Sequence, residues 1–494
     1  MPWIGFVFLM GHLSFNHLAR MNANDSRTVD ITGAQMVLVM KLSAFCWNVA
    51  DGVLPEEGLT DFQKDRRLTE LPDLLDFAGY VFFFPSMMVG PAFDFVEYRR
   101  WLDTSMFEVP STVDPAKKPP TRRKRKIPRS GTPAMLKMAT GLVWIVMFLK
   151  LSPSYSPSAV TSPSYYDNSF LRRVFVLYMI GFCARCKYYG VWTLTEGACI
   201  LAGLGYKGVD PATGKVSWDR LQNINPWGVE FAQNTKGYLD NWNINTTKWL
   251  RNYVYLRVTP KGKKPGFRAS LVTFSTSAFW HGFHPGYYLS FVLASFIQTA
   301  AKSELFLTPF PAPVTRILTR CTDFRRLLRP FFLDPKNQSP LPTKRYYDFF
   351  SWFATQLTFT FVAAPFLVLG LKDSLRVWSA VYFYAVVGTA ASMAFFASPG
   401  KRALRKALEK RAAKANGTDV GGKKDRDASL SRSTSTESLS STRNGGPVLG
   451  VSLDPQAELD EALNELKAEY ESRMGLVHSE ELVKATEEAG KKIR

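Results

Sequence analysis

Eight separated stretches of this chain come close to, or exceed, the ~20 apolar residues that a helix needs to cross a bilayer. They fall at roughly 2–19, 33–50, 72–95, 133–152, 171–206, 269–303, 346–371 and 375–398. The run 171–206 is long enough for two spans, and so is 269–303, which breaks near Pro285-Gly286. Within hydrocarbon every backbone N–H and C=O must find its partner inside the protein, so such spans become helices. The pattern predicts an all-α polytopic integral membrane protein, a bundle of about eight to ten transmembrane helices.

Several runs are impure. Lys41, Arg185 and Lys187 interrupt apolar stretches, and Pro85, Gly90 and Pro91 are expected to kink the third. Charges at membrane depth face a bundle interior or a watery cavity. The run 33–50 reads equally as a span or as an interfacial segment. Met1 leads directly into Pro2-Trp3-Ile4-Gly5-Phe6, with no basic n-region or small-residue cleavage site. That is not a signal peptide; it reads as a membrane helix cut close to its beginning.

Charge sorts with the same pattern. Of the net +20 carried by the 494 residues, residues 1–400 carry +18. Nucleic-acid binders place such charge on polar surfaces. Here it lies in short loops between apolar runs, the distribution of a positive-inside membrane protein, so no nucleic-acid partner is expected. An aromatic content of 14% excludes a wholly disordered chain, and five cysteines exclude a disulfide scaffold. The mean hydropathy of −0.09 averages an apolar body with a polar tail.

Two basic loops stand out. Lys117, Lys118, Arg122, Arg123, Lys124, Arg125, Lys126 and Arg129 should be cytosolic and meet anionic membrane headgroups. The second loop is Lys261-Gly262-Lys263-Lys264-Pro265-Gly266-Phe267-Arg268. Beyond residue 399 the character changes, which divides the chain into a membrane-embedded part, 1–399, and a soluble cytosolic tail, 400–494. Lys401 to Lys414 is basic and helix-prone, and 427–445 is Ser/Thr/Gly-rich and expected to be disordered. A charged helix is expected over 455–473, where Leu459, Leu463, Leu466 and Tyr470 recur at three- and four-residue spacing. The chain ends Lys491-Lys492-Ile493-Arg494, which resembles a dilysine retrieval signal of endoplasmic-reticulum membrane proteins and would meet a retrieval receptor.

Chemistry has few places to sit. The chain has five histidines. His12 and His17 are five apart, which is not same-face helical spacing, and His478 lies in the tail. His281 sits in Ser277-Ala278-Phe279-Trp280-His281-Gly282-Phe283-His284, an apolar and aromatic segment. A neutral imidazole there reads either as a general base near pH 7 or as a packed histidine bonded to a neighbour. No carboxylate or cysteine lies near enough in sequence to make a metal site with His281 and His284. Cys183-Ala184-Arg185-Cys186 has no second pair and reads as packing.

The other dense segment is Asp240-Asn241-Trp242-Asn243-Ile244-Asn245-Thr246-Thr247-Lys248-Trp249-Leu250-Arg251-Asn252-Tyr253. Trp242, Trp249, Leu250 and Tyr253 form a stripe at near-helical spacing, and Asn243, Thr247 and Arg251 recur on one polar face. Three asparagines in five residues are poor helix formers unless their amides bind something. Asn245-Thr246-Thr247 is a glycosylation sequon, discounted because the flanking tryptophans suggest burial. Glu196 is a carboxylate in an apolar run; it reads as a structural ion pair with Arg185 or Lys187, or as a substrate contact.

Trp242-Asn243-Ile244-Asn245-Thr246, with His281 in Phe279-Trp280-His281-Gly282 following 38 residues after Asn243, resembles the signature of the membrane-bound O-acyltransferases. The likeness extends to Val29-Asp30-Ile31-Thr32-Gly33-Ala34-Gln35-Met36, Lys187-Tyr188-Tyr189, Thr195-Glu196-Gly197-Ala198, Gly203-Leu204-Gly205-Tyr206 and Lys263-Lys264-Pro265-Gly266-Phe267-Arg268. Within that family the chain is most similar to the fungal, broad-range lysophospholipid acyltransferases, over about residues 1–398. The resemblance implies further helices before residue 1. It implies His281 as general base, Asn243 as the residue positioning the reacting groups, and a catalytic chamber inside the membrane. It implies transfer of an acyl group from acyl-CoA, a co-substrate, to the free hydroxyl of a lysophospholipid at the endoplasmic reticulum, with no cofactor or metal. Trp280 and Glu196 are expected at the substrate, and Lys261, Lys263, Lys264 and Arg268 at the phosphates of CoA, unless those cations serve topology alone. The absence of a Ser-His-Asp set or a G-x-S-x-G elbow favours direct transfer over an acyl-enzyme. The competing expectations are a relative acylating a sterol, diacylglycerol or protein, and a transporter or scaffold without catalysis.

Overall fold

The computed structural model describes residues 2–22, 30–121, 127–260, 265–302, 328–335 and 339–415. All lie in the first of the two units into which the chain divides, Met1–Leu449; the second, Gly450–Arg494, falls outside the described residues. So do the 427–445 and 455–473 segments, and Lys491 and Lys492. The described part is mostly helical; its one small sheet among the described residues is a hairpin, Gly208–Val209 (β1) against Val216–Ser217 (β2).

The long helices follow the apolar runs. They are α1 (Pro2–Asn22), α2 (Thr32–Gly52), α3 (Gly131–Leu151), α4 (Phe170–Ala202), α5 (Ile244–Leu250, short but central to the site), α6 (Phe267–His281), α7 (Pro285–Lys302), α8 (Lys344–Val368), α9 (Leu371–Ala380), α10 (Tyr384–Ala397) and α11 (Pro399–Ala415). Among the described residues α2, α3, α4 and α8 are each long and apolar enough to cross a membrane. The pair α9 and α10, bent by 76°, makes a fifth if it is one span.

Two runs fold differently from their lengths, and a third divides where its sequence breaks. The run 171–206 is one continuous helix of 33 residues, not two. At 1.5 Å per residue it reaches about 50 Å, beyond the ~30 Å of hydrocarbon. The run 72–95 breaks into Leu74–Val81, Phe84–Met87 and the start of Phe95–Leu102, as its prolines and glycine require. The run 269–303 divides into α6 and α7 at Gly282–His284. The run 33–50 is a helix long and apolar enough to cross a membrane, which favours the span over the interfacial reading.

Close approach explains the tightest pairing. α3 lies along α4, and a Cβ on Gly190 would fall 2.5 Å from Ile145, on Gly197 2.4 Å from Met138, and on Gly141 2.8 Å from Leu194. Glycines seven residues apart share one helix face, and small residues let membrane helices touch backbone to backbone. The rest of α3 is turned outward: Met135 and Leu136 are 72% and 70% exposed. An outward face of that composition suits lipid.

Buried charges are matched. Lys41 on α2 is 1% exposed. Its ammonium donates to the carbonyls of Tyr80 and of Val81, the latter at 3.2 Å. It thereby satisfies backbone groups of the broken 74–95 segment, which is why a lysine interrupts that apolar run. Arg185 Nε and Nη2 donate to Glu230 Oε1 and Oε2 at 2.7 and 2.9 Å, and the Tyr189 hydroxyl donates to Oε1 at 2.7 Å. Asp51 at the end of α2 accepts a two-point pair from Arg257 at 2.8 and 2.5 Å. Cys183 and Cys186 are buried. α11 covers the basic stretch after residue 399, and its Arg411 donates to the carbonyls of Pro330 and Leu333.

Candidate active site

His281 is the last residue of α6, and the residue after it fixes that place. Gly282 has φ +127°, a conformation that L side chains rarely adopt, and a Cβ there would lie 3.2 Å from His17 Nδ1. The helix therefore stops at the histidine. Its ring stacks on Phe291 of α7 at 5.2 Å, stands edge-on to Phe366 of α8 at 4.9 Å and lies 5.7 Å from the ring of Tyr287. Among the described residues no hydrogen bond reaches the imidazole nitrogens. A packed, bonded histidine would show one. His281 is instead held by aromatic walls alone, with its ring nitrogens uncommitted among the described residues.

The open side is a small pocket, with room for about one water molecule (about 10 Å³), bordered by His17, Arg20, Gly282, Phe283, His284 and Tyr287. His17 comes from α1; its Nε2 lies 3.0 Å from the Trp280 carbonyl. Its five-residue spacing from His12 hid it, because its partner is 263 residues away in sequence. No signal in one chain connects such positions.

Asn243 separates the helix Thr235–Asn241 from α5, in the left-handed conformation at φ +45°, ψ +54°. Asparagine tolerates that region better than most residues. Its carbonyl accepts from Thr247 N at 3.0 Å. Its two neighbouring asparagines are committed to structure. Asn241 donates to the Gly237 carbonyl at 2.8 Å and accepts from Asn225 at 2.9 Å. Asn245 donates to the carbonyls of Leu221 and Gln222. Asn245 is 7% exposed, in keeping with the discounted sequon. Among the described residues the Asn243 side chain makes no hydrogen bond. Of the three amides, the one in the signature position is the one left uncommitted.

The near-helical spacing from Trp242 to Tyr253 does not run along one continuous helix. Trp242 turns away to pack on Tyr188 and Trp192 of α4, at 5.8 and 5.3 Å, and Arg251–Tyr255 is a π-helical turn. The polar face through Asn243, Thr247 and Arg251 is accordingly not continuous. Two tryptophans join the segments instead: Trp249 of α5 lies 5.9 Å from Trp280 of α6. Trp249 donates to Ser43 Oγ at 2.9 Å, and Trp280 to the Met36 carbonyl at 3.1 Å, so both are anchored on α2. Among the described residues no hydrogen bond joins Asn243 to His281; their helices are placed by this pair.

The other expected site residues are placed as follows. Trp280 is 4% exposed and packs in the core with Trp249 and Tyr253. Glu196 is 1% exposed, and its partner is neither Arg185, which pairs with Glu230, nor Lys187, which is exposed; it is Lys137 of α3, with Nζ 2.8 Å from Oε1. The correction has a plain cause, since α3 lies against that face of α4 while Arg185 points toward Glu230. Arg268 is exposed in the first turn of α6. Lys261, Lys263 and Lys264 lie outside the described residues.

Residues 21–322 match the model of the membrane-bound O-acyltransferase family, MBOAT. The chain is 44% identical over 411 residues to a lysophospholipid acyltransferase of Schizosaccharomyces pombe, covering 83% of this chain and 75% of that protein. It is 42% identical over 408 residues to a lysophospholipid acyltransferase of Saccharomyces cerevisiae, covering 81% of this chain and 62% of that one. To lysophospholipid acyltransferase 1 of Arabidopsis thaliana it is 31% identical over 392 residues, covering 78% and 75%.

Proposed function

Because the chain belongs to the membrane-bound O-acyltransferase family, we propose that it transfers a fatty acyl group from acyl-CoA to the free hydroxyl of a lysophospholipid, at sn-2 in a 1-acyl acceptor. The observation that carries this reading is the pair of uncommitted polar groups in the signature positions, the His281 imidazole and the Asn243 amide. An alcohol is a weak nucleophile at neutral pH. His281 takes the hydroxyl proton as the oxygen attacks the thioester carbonyl. The new C–O bond forms, the C–S bond breaks, and the imidazolium returns its proton to the departing thiolate of CoA. Nothing else is consumed, and the base is regenerated. The Asn243 amide N–H donates to the developing oxyanion or orients the acceptor. A transporter or scaffold would leave both groups without a task. The likeness to lysophospholipid acyltransferases of yeasts and Arabidopsis thaliana favours a lysophospholipid acceptor over a sterol, diacylglycerol or protein.

The left-handed backbone at Asn243 supplies a clean test. Asn243→Gly keeps the conformation and removes the amide; Asn243→Ala removes the amide and adds roughly 1–2 kcal/mol of strain. Both should lower kcat by ~10²–10³-fold, while only the alanine variant loses thermal stability. Full activity in the glycine variant would remove Asn243 from the reaction.

Membrane organisation follows from the same reading. α1, α6 and α7 count as further membrane segments beside α2, α3, α4, α8 and the bent pair α9–α10 taken as one span, which gives about eight around the chamber. Residues 1–399 form the catalytic part and 400–494 a cytosolic tail, held inside by Lys401, Arg402, Arg405 and Lys406. The protein resides in the endoplasmic reticulum, with Lys491 and Lys492 as the retrieval address. A tag fused after Arg494 should be digested by protease added to sealed microsomes, and protection of the tag would reverse the orientation. The loop of Lys261, Lys263 and Lys264, with Arg268, holds CoA phosphates. Neutralising the three lysines together should raise KM for acyl-CoA, and an unchanged KM would leave them a topological role alone.

A further inference from the structure

The last turn of α1 brings a cation to the pocket of the proposed base. Arg20 borders the same small space as His281, Gly282 and His284, and among the described residues it is the one arginine or lysine lining it. Its Nη1 lies 3.3 Å from Asp30 Oδ2 and 3.3 Å from Thr32 Oγ1. The ion pair is loose. The two side chains are 52% and 45% exposed, and pairs of that kind contribute about 0–1 kcal/mol. An incoming anion can therefore displace Asp30 without a large penalty. A guanidinium has five donors in a fixed fork that matches a phosphate at two points.

The far side of Phe283 is mostly apolar and carries no charge among the described residues. Phe283 borders both the His281 pocket and a groove of about 600 Å³ whose wall includes Tyr288, Leu289, Val292, Leu293 and Phe296. Among the described residues no charged side chain lines that groove. A charged part of a substrate placed at His281 is thus directed to the Arg20 side.

We propose that Arg20 binds the phosphodiester of the acyl acceptor and so sets the glycerol hydroxyl against His281. The inference rests on the lysophospholipid reading above. In a 1-acyl lysophospholipid the phosphate is carried on the carbon next to the one bearing the accepting hydroxyl. When that hydroxyl reaches the base, the phosphate falls within a few bonds of it, where Arg20 stands. The contact reads the phosphate, which all such acceptors share, and not the alcohol beyond it. Arg20 therefore acts on acceptor affinity and leaves head-group preference to other residues.

The test uses the full chain purified in mixed micelles, with lysophosphatidylcholine and lysophosphatidylethanolamine as acceptors. Arg20→Gln should raise KM for both by a common factor of ~10–100-fold, the range expected when a charge-assisted hydrogen bond is lost, with KM for acyl-CoA unchanged. Arg20→Lys should recover part of the loss, because the point charge remains and the fork is gone. Asp30→Asn, which frees Arg20 from its resident partner, should leave KM for the acceptors unchanged or lower it. An unchanged acceptor KM in Arg20→Gln overturns the inference. So does a rise in KM for acyl-CoA of the same size, or a rise in acceptor KM in Asp30→Asn equal to that in Arg20→Gln, since either marks a structural pair. If Arg20→Gln does not fold, the lysine and asparagine variants decide by the same signs. Failure of the unaltered protein to acylate either acceptor defeats the functional reading itself. Activity in the unaltered protein with no effect at Arg20 defeats this inference alone.

Discussion

His281→Ala should abolish acyl transfer while the protein accumulates in membranes at its usual level. The expected loss is at least the ~10²–10⁴-fold that a positioned general base supplies. Expression should survive because the ring makes no hydrogen bond among the described residues that removal would orphan. What goes is the stacking against Phe291 and Phe366, worth ~0.5–1.5 kcal/mol per aromatic pair. The pairing of large kinetic loss with small structural loss distinguishes a base from a packed histidine. His281→Gln, which restores volume but not basicity, should stay inactive. Rate measurements on membranes matched for protein amount make the comparison.

The largest structural effect is expected at the ion pair between α4 and the segment before Trp242. Glu230 accepts from Arg185 at two points and from the Tyr189 hydroxyl. Its backbone carbonyl also receives Trp352 at 2.7 Å and Gln356 at 3.0 Å from α8. Glu230→Ala leaves Arg185, 6% exposed, as an uncompensated buried cation, a change that costs about 3–5 kcal/mol. The variant should be recovered from detergent at a small fraction of the usual yield, and what is recovered should melt earlier. Replacing both partners, Arg185→Met with Glu230→Leu, should restore much of the yield, because no charge is then left unpaired. A single variant as stable as the unaltered protein would show that water or lipid headgroups reach Arg185.

Much of this was legible in the sequence, and the remainder has a common cause. Apolar runs located the long helices because a bilayer imposes their length. Local chemistry marks the two segments, a histidine in an aromatic run and asparagines where a helix should not hold them, while the choice of His281 and Asn243 within them rests on the family resemblance. What the chain could not show were partners supplied by another helix. Glu196 was matched to residues of its own helix, yet the partner was Lys137 of α3. His17 and Arg20 were not recognised as pocket residues, because their place beside His281 depends on how α1 packs against α6. Periodicity also misled at Trp242 to Tyr253. The left-handed Asn243 and the π-helical turn after Leu250 interrupt a spacing that looked continuous. Departures of that kind gather where backbone is arranged for a task rather than for regularity.

The central claim is that this chain itself moves an acyl group from a thioester of CoA to a lysophospholipid hydroxyl. The most direct measurement incubates the purified full chain with radiolabelled oleoyl-CoA and 1-acyl lysophosphatidylcholine, and follows label and free CoA thiol together. The account predicts labelled diacyl phospholipid appearing in equal molar amount with free thiol, and neither in the His281→Ala protein. Free thiol without labelled phospholipid, or phospholipid formed at equal rate by the alanine variant, would contradict it.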